Sequence, residues 1–300
     1  MANRTTDREH PVEKAGHGDH LCLVFGDDAE NRRVAVRYMT DGLALGERVL
    51  YFADQSSPET VRNWLRAARV DVDAACARGQ LQVVTVRESY LASGRFDPDT
   101  MIQNLRDAVR GSLEEGYTGL RVTGEMGWAL RDVPGAELLH EYESRVTEVF
   151  TGNPASAICH YDARLFDTGA LAAFDHCHPG KVELAPLHGH GALRTIPSFQ
   201  DGRRVLRVVG SVDLQTADLL AEALRAACAW PGDVEVDMSA LEFIDLTGLR
   251  LLARTADSLG DGRVLRVSHL PEMLRRVIHL AGLDGPAALV VPAAEEVGSA

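Results

Sequence analysis

Short apolar runs alternate with amphipathic ones through the first 180 residues of the chain. His20-Leu-Cys-Leu-Val-Phe25 has the pattern of a buried strand and ends in the turn Gly26-Asp-Asp28. Residues 30–45 follow with Val34, Tyr38, Met39 and Leu43 at helical spacing, and residues 48–52 return to a strand pattern. Ser57 and Pro58 mark a helix start over 59–68, Ser57 as the cap and Pro58 in the first turn. Strand patterns at 80–86, 119–123 and 156–161 alternate with helical patterns at 97–115 and 136–149. Such alternation predicts an α/β fold, with a mainly parallel sheet covered on both faces.

The rhythm breaks near residue 180. Residues 179–193 mix Pro, Gly and His with weak apolar positions, and 183–198 read as a linker. A second, smaller α/β region follows: strand patterns at 203–209, 234–236 and 263–268, with helical patterns at 215–229, from Leu249 to Leu259, and at 271–280. The expected organisation is a flexible N-terminus at 1–17, one domain at 18–182, the linker, and a second domain at 199–292.

Composition narrows the function classes. Three hundred residues suit two domains, and 45% hydrophobic with 25% charged residues is ordinary for a chain with a sizeable core. A formal charge of −13 argues against nucleic acid and against an anionic membrane surface as partners. No apolar stretch has the length of a membrane span, and the first twenty residues lack a signal-peptide core, so a cytoplasmic protein is expected. Five scattered cysteines do not suggest a disulfide framework.

The turn after the first long strand is where an α/β sheet would carry a phosphate loop. It reads Gly26-Asp-Asp-Ala-Glu-Asn-Arg-Arg: one glycine, three carboxylates and no lysine. A phosphate cradle needs glycines and a lysine, so classical nucleotide hydrolysis is not expected, and the acids more simply start a helix. Histidine, cysteine and acidic residues gather around strand ends: His20, Cys22, Glu125, Cys159 and His178, with Trp128 nearby. Their spacing is not that of a zinc finger or ribbon, and no metal or cofactor is assigned; the cysteines can equally be small core residues, Trp128 a core aromatic, and Glu125 a partner for local backbone. In the second domain, Thr247 stands where strand gives way to helix. A hydroxyl there can cap the helix, and the positive end of the helix dipole also tolerates added negative charge.

Two resemblances sharpen these readings. Gly210-Ser-Val-Asp213-Leu-Gln-Thr216-Ala217, followed by Asp237-Met-Ser and Phe243-Ile-Asp245-Leu-Thr247-Gly248-Leu249, resembles the STAS domain of anti-sigma-factor antagonists. The family's second turn hydroxyl, the one a partner kinase phosphorylates, falls on Thr247, while its first falls on Leu246 and its usual glutamate on Ser211. The resemblance implies Thr247 as the phosphorylation site, Asp213, Asp245, Leu246 and Gly248 as switch or partner-binding residues, and an anti-sigma factor or serine/threonine kinase as partner. Gly18-Asp-His20-Leu-Cys22-Leu-Val-Phe25, Ser89-Tyr90 through Pro98, Gly124-Glu125-Met-Gly-Trp128, Glu141-Tyr-Glu143, Ile158-Cys159-His-Tyr161 and His178-Pro179 together resemble the MEDS sensory domain. That resemblance implies a RecA/KaiC-like core with a degenerate P-loop, a small-molecule ligand, and a sensing site lined by His20, Cys22, Glu125, Trp128, Cys159 and His178.

The expectation is a non-catalytic sensor controlling a STAS output; a homodimer is allowed. Two alternatives stand beside it. One is a metal- or thiol-dependent enzyme or redox sensor centred on His20, Cys22, Glu125 and Cys159; the other is a nucleotide-binding regulator with an unusual loop.

Overall fold

The computed structural model of the chain describes residues 8–260, 262–283 and 288–292. It divides into two compact units, Met1–Leu184 and Ala185–Ala300. The first holds strands β1 (Glu9–Pro11), β2 (His20–Phe25), β3 (Arg48–Ala53), β4 (Leu81–Thr85), β5 (Leu120–Glu125), β6 (Ala155–Asp162) and β7 (Gly180–Glu183). Its helices are α1 (Asp28–Ala44), α2 (Pro58–Ala67), α3 (Val72–Ala77), α4 (Pro98–Glu114), α5 (Leu139–Phe150) and α6 (Thr168–Cys177). The strands form one sheet in the order β1-β7-β2-β6-β5-β3-β4, and the pairings along it are parallel.

Period-two alternation decides which side chains share a face. Cys22, Leu50, Phe52, Val122, Ala157 and Cys159 pack with α4, α5 and α6, whereas Val49, Tyr51, Ala53 and Val83 pack with α1, α2 and α3. A buried ion pair sits on the second face. Arg121 Nε lies 2.5 Å from Glu47 Oε2, its Nη1 donates to Tyr38 O at 3.0 Å, and its guanidinium stacks 4.5 Å over the Tyr38 ring. His17 Nε2 adds a 2.8 Å contact to the other Glu47 oxygen.

The N-terminal stretch expected to be flexible is in part built into this sheet. Residues 1–7 lie outside the described residues, but β1 pairs with β7, Glu9 contacts Lys181 at 3.3 Å, and Val12 and Ala15 are buried. The helices α3 and α6 have no counterpart in the sequence reading.

The second unit holds β8 (His188–His190), β9 (Leu193–Gln200), β10 (Arg203–Val212), β11 (Val234–Ile244), β12 (Leu265–Ser268) and β13 (Leu289–Val290), with α7 (Ala217–Cys228), α8 (Leu246–Ser258) and α9 (Glu272–Leu280). Sheet order is β13-β12-β11-β10-β9-β8, antiparallel from β8 to β10 and parallel from β10 onward. The linker expected at 183–198 is therefore corrected: most of it is β8 and β9. Pro197 is tolerated in a strand because β8 pairs only with residues 193–195, leaving that edge of β9 open where a proline lacks its N–H. Among the described residues no helix is long and apolar enough to cross a membrane.

Candidate functional site

The turn between β2 and α1 is satisfied from within. Asp27 caps α1, accepting from Ala29 N and Glu30 N at 2.9 Å, and Glu30 Oε2 accepts from Gly26 N at 2.7 Å. Backbone donors that a phosphate would need are thus held by the turn's own carboxylates. An open cleft of about 530 Å³ lies alongside, bounded by Asp28, Arg32, Ser57, Thr60 and Trp64.

Four buried donors converge on the other side of the molecule's first sheet. His20 on β2 and Cys159 on β6 share a face by the two-residue period; α5 lays Glu143 over them, and His178 follows α6. Glu143 Oε2 stands 3.2 Å from His20 Nε2 and 3.3 Å from His178 Nε2. Cys159 Sγ is 3.5 Å from both His20 Nε2 and Glu143 Oε2. All four side chains are buried. Burial, with His178 beside it, lowers the His20 pKa from 6.5 to about 4, against the opposing pull of Glu143. Burial alone would raise the Glu143 pKa, but the His178 and His20 rings facing the carboxyl outweigh it and hold it low. Burial, and then the Glu143 charge, pushes the Cys159 thiol up.

Three of the six expected sensing residues, His20, Cys159 and His178, are brought together; the other three are not. Glu125 falls on the opposite sheet face, because it is an odd number of residues from Val122 on the same strand. There its Oε2 accepts from the backbone N–H of Asp54, Gln55 and Ser56 at 2.8, 2.6 and 3.0 Å, and Oε1 accepts from Tyr51 at 2.9 Å. It ties down the β3–α2 turn. Trp128 is a core aromatic, 4.8 Å from Phe96 and 5.3 Å from Tyr90 between ring centres. Cys22 shares the cluster's face but lies in the apolar core, paired across the sheet with Cys159. The alternative cluster of His20, Cys22, Glu125 and Cys159 is thus not one site. Sequence reading passed over Glu143 as a functional residue.

In the second unit Asp245, not Thr247, is the cap of α8: its Oδ1 accepts from Gly248 N at 3.0 Å. Thr247 lies in the first turn, half-buried, with no hydrogen-bond partner for its hydroxyl among the described residues. Asp213 closes the neighbouring β10–α7 turn on Gln215 N and Thr216 N at 2.9 and 3.1 Å, and Asp245 N donates to Val212 O at 3.0 Å, joining the two turns. Three apolar side chains around them are exposed: Leu214 at 80%, Phe243 at 54% and Leu246 at 38%. Gly248 is where the helix start presses on the strands; a Cβ there would stand 2.6 Å from both Ile244 and Val212. Gly248→Ala is expected to cost the second unit about 1–3 kcal/mol by overpacking, read from the shift of its denaturation midpoint.

Comparison with known proteins agrees with this division. The family model described as "MEthanogen/methylotroph, DcmR Sensory domain" matches residues 19–179, and the model "Mlab, STAS domain" matches residues 197–292. The transcriptional repressor DcmR of Methylorubrum extorquens is 25% identical over 154 residues, which is 51% of this chain and 55% of the repressor. The anti-sigma-F factor antagonist RsfB of Mycobacterium tuberculosis is 39% identical over 85 residues, 28% of this chain and 70% of that protein. Among solved structures, a KaiC-like protein of Pyrococcus horikoshii is 13% identical, covering 63% of this chain and 89% of its own, with a TM-score of 0.41. The chain belongs to the MEDS family through its first unit, and its second unit is a STAS domain of the anti-sigma factor antagonist type.

Proposed function

We propose that the chain is a non-enzymatic, cytoplasmic signalling regulator. Its STAS domain binds an anti-sigma factor of the serine/threonine kinase type and is released by phosphorylation at Thr247. The MEDS domain biases this exchange when a small molecule binds to it. The observation that carries the reading is the Thr247 hydroxyl: on the first turn of α8, without a hydrogen-bond partner among the described residues, next to the Asp245 cap and the exposed Leu246 and Phe243. An apolar rim of that kind suits a partner that must be desolvated. A phosphate would add a charge of roughly −1.5 to −2 next to an existing carboxylate. The helix N-terminus tolerates that charge in the free domain, so the fold survives. A buried interface does not tolerate it, so binding fails.

Incubation with the cognate anti-sigma kinase and ATP should place one phosphate on Thr247, located by peptide mass spectrometry, and Thr247→Ala should take up none. Thr247→Glu should weaken binding to the same partner at least about tenfold, equivalent to about 1.4 kcal/mol. Equal labelling of Thr247→Ala, or unchanged affinity of Thr247→Glu, would remove the switch from this residue.

A further inference from the structure

We infer that His20, Glu143, Cys159 and His178 form a binding site for one divalent transition-metal ion of the zinc class. The four donor atoms, two imidazole Nε2, one thiolate Sγ and one carboxylate oxygen, lie within 4.8 Å of one another. Metal–ligand bonds of about 2.0–2.3 Å in a tetrahedron put neighbouring donors roughly 3.3–3.7 Å apart. The four contacts measured between them, 3.2, 3.3, 3.5 and 3.5 Å, fall on or close to that edge length.

Hydrogen bonding behind the donors points the same way. His178 Nδ1 is 2.7 Å from Phe174 O, which can only accept, so Nδ1 carries the proton. In the neutral ring Nε2 then turns a lone pair toward Glu143 Oε2; among the described residues it has no hydrogen-bond partner, and neither has Glu143 Oε1. Lone pair facing lone pair in a fully buried pocket is what a shared cation resolves. His20 is also held through its Nδ1, 2.9 Å from the Thr147 hydroxyl, which can accept from it, while Nε2 faces Glu143 Oε2 and Cys159 Sγ. A ligating imidazole fixed through its second nitrogen by a carbonyl or hydroxyl is the common outer arrangement of metal sites. Charge closes as well: one thiolate and one carboxylate neutralise one dication, so the loaded site buries no net charge. Loading displaces the Cys159 thiol proton to solvent. With four protein ligands the coordination is closed, and the ion ties β2 and β6 to α5 and to the segment after α6.

The inference is independent of the Thr247 switch. Its test is metal content of the full chain, purified without chelator, by plasma mass spectrometry, followed by chelation and titration with Co(II). About one metal ion per chain is expected, and the cobalt form should show tetrahedral d–d bands with a thiolate-to-cobalt charge-transfer band. Cys159→Ser should lose the charge-transfer band, Cys22→Ser should keep it, and Thr147→Val should lower cobalt affinity about 10–100-fold. A wild-type chain that melts cooperatively yet takes up neither zinc nor cobalt would overturn the site, whatever the variants do. So would a charge-transfer band that survives Cys159→Ser.

Discussion

Arg121→Met should lower the stability of the MEDS domain by about 3–5 kcal/mol, the cost of leaving one partner of a buried ion pair uncompensated. Glu47 is almost fully enclosed and, among the described residues, would keep only the His17 contact. The Arg121 bond to Tyr38 O and the stacking on the Tyr38 ring would be lost as well. Denaturant titration of the full chain, following the transition of the first domain, reads the effect. Arg121→Met combined with Glu47→Leu should recover most of the loss, because an apolar pair removes the stranded charge. A single variant that loses less than about 1 kcal/mol would mean that water reaches Glu47.

Glu125→Ala should cost about 2–4 kcal/mol through the β3–α2 turn. Three backbone N–H groups and the Tyr51 hydroxyl lose one shared acceptor. The cost stays below the sum of four separate bonds because Gln55 is exposed and its N–H can turn to water. If Glu125 is structural, the same variant should leave the cobalt spectrum of the His20 cluster unchanged, since the residue lies on the other face of the sheet. A fully stable variant with a shifted cobalt spectrum would reverse that assignment.

How far the sequence carried these conclusions follows from which interactions are local. The alternation of strand and helix was legible because period 2 and period 3.6 are written in consecutive residues. His20 and Cys159 could be suspected for the same reason, being reactive side chains on apolar strands. Glu143 left a fainter signal. It stands with Leu139, Tyr142, Val146 and Val149 on the buried stripe of α5, where a carboxylate has no business unless something inside binds it. The Arg121–Glu47 pair spans 74 residues and has no sequence signature at all. Nearness to a strand end groups Glu125 with His20 and Cys159, but strand parity, which decides the face, separates it from them. Residues 183–198 carry the Pro and Gly of a linker, yet their Leu193 and Ile196 are buried in the second domain.

The last of these bears on how the protein can be cut. A STAS fragment begun at residue 199 would lack residues 193–198 of β9, and with them six of the eight residue pairs along β10. Strand β10 would become a bare edge carrying Val205, Leu206 and Val208, all of them core residues. An uncovered apolar edge invites pairing with a second copy, so such a fragment is expected to aggregate. A fragment begun at Ala185 keeps both edge strands and should stay monodisperse in gel filtration at the same concentration.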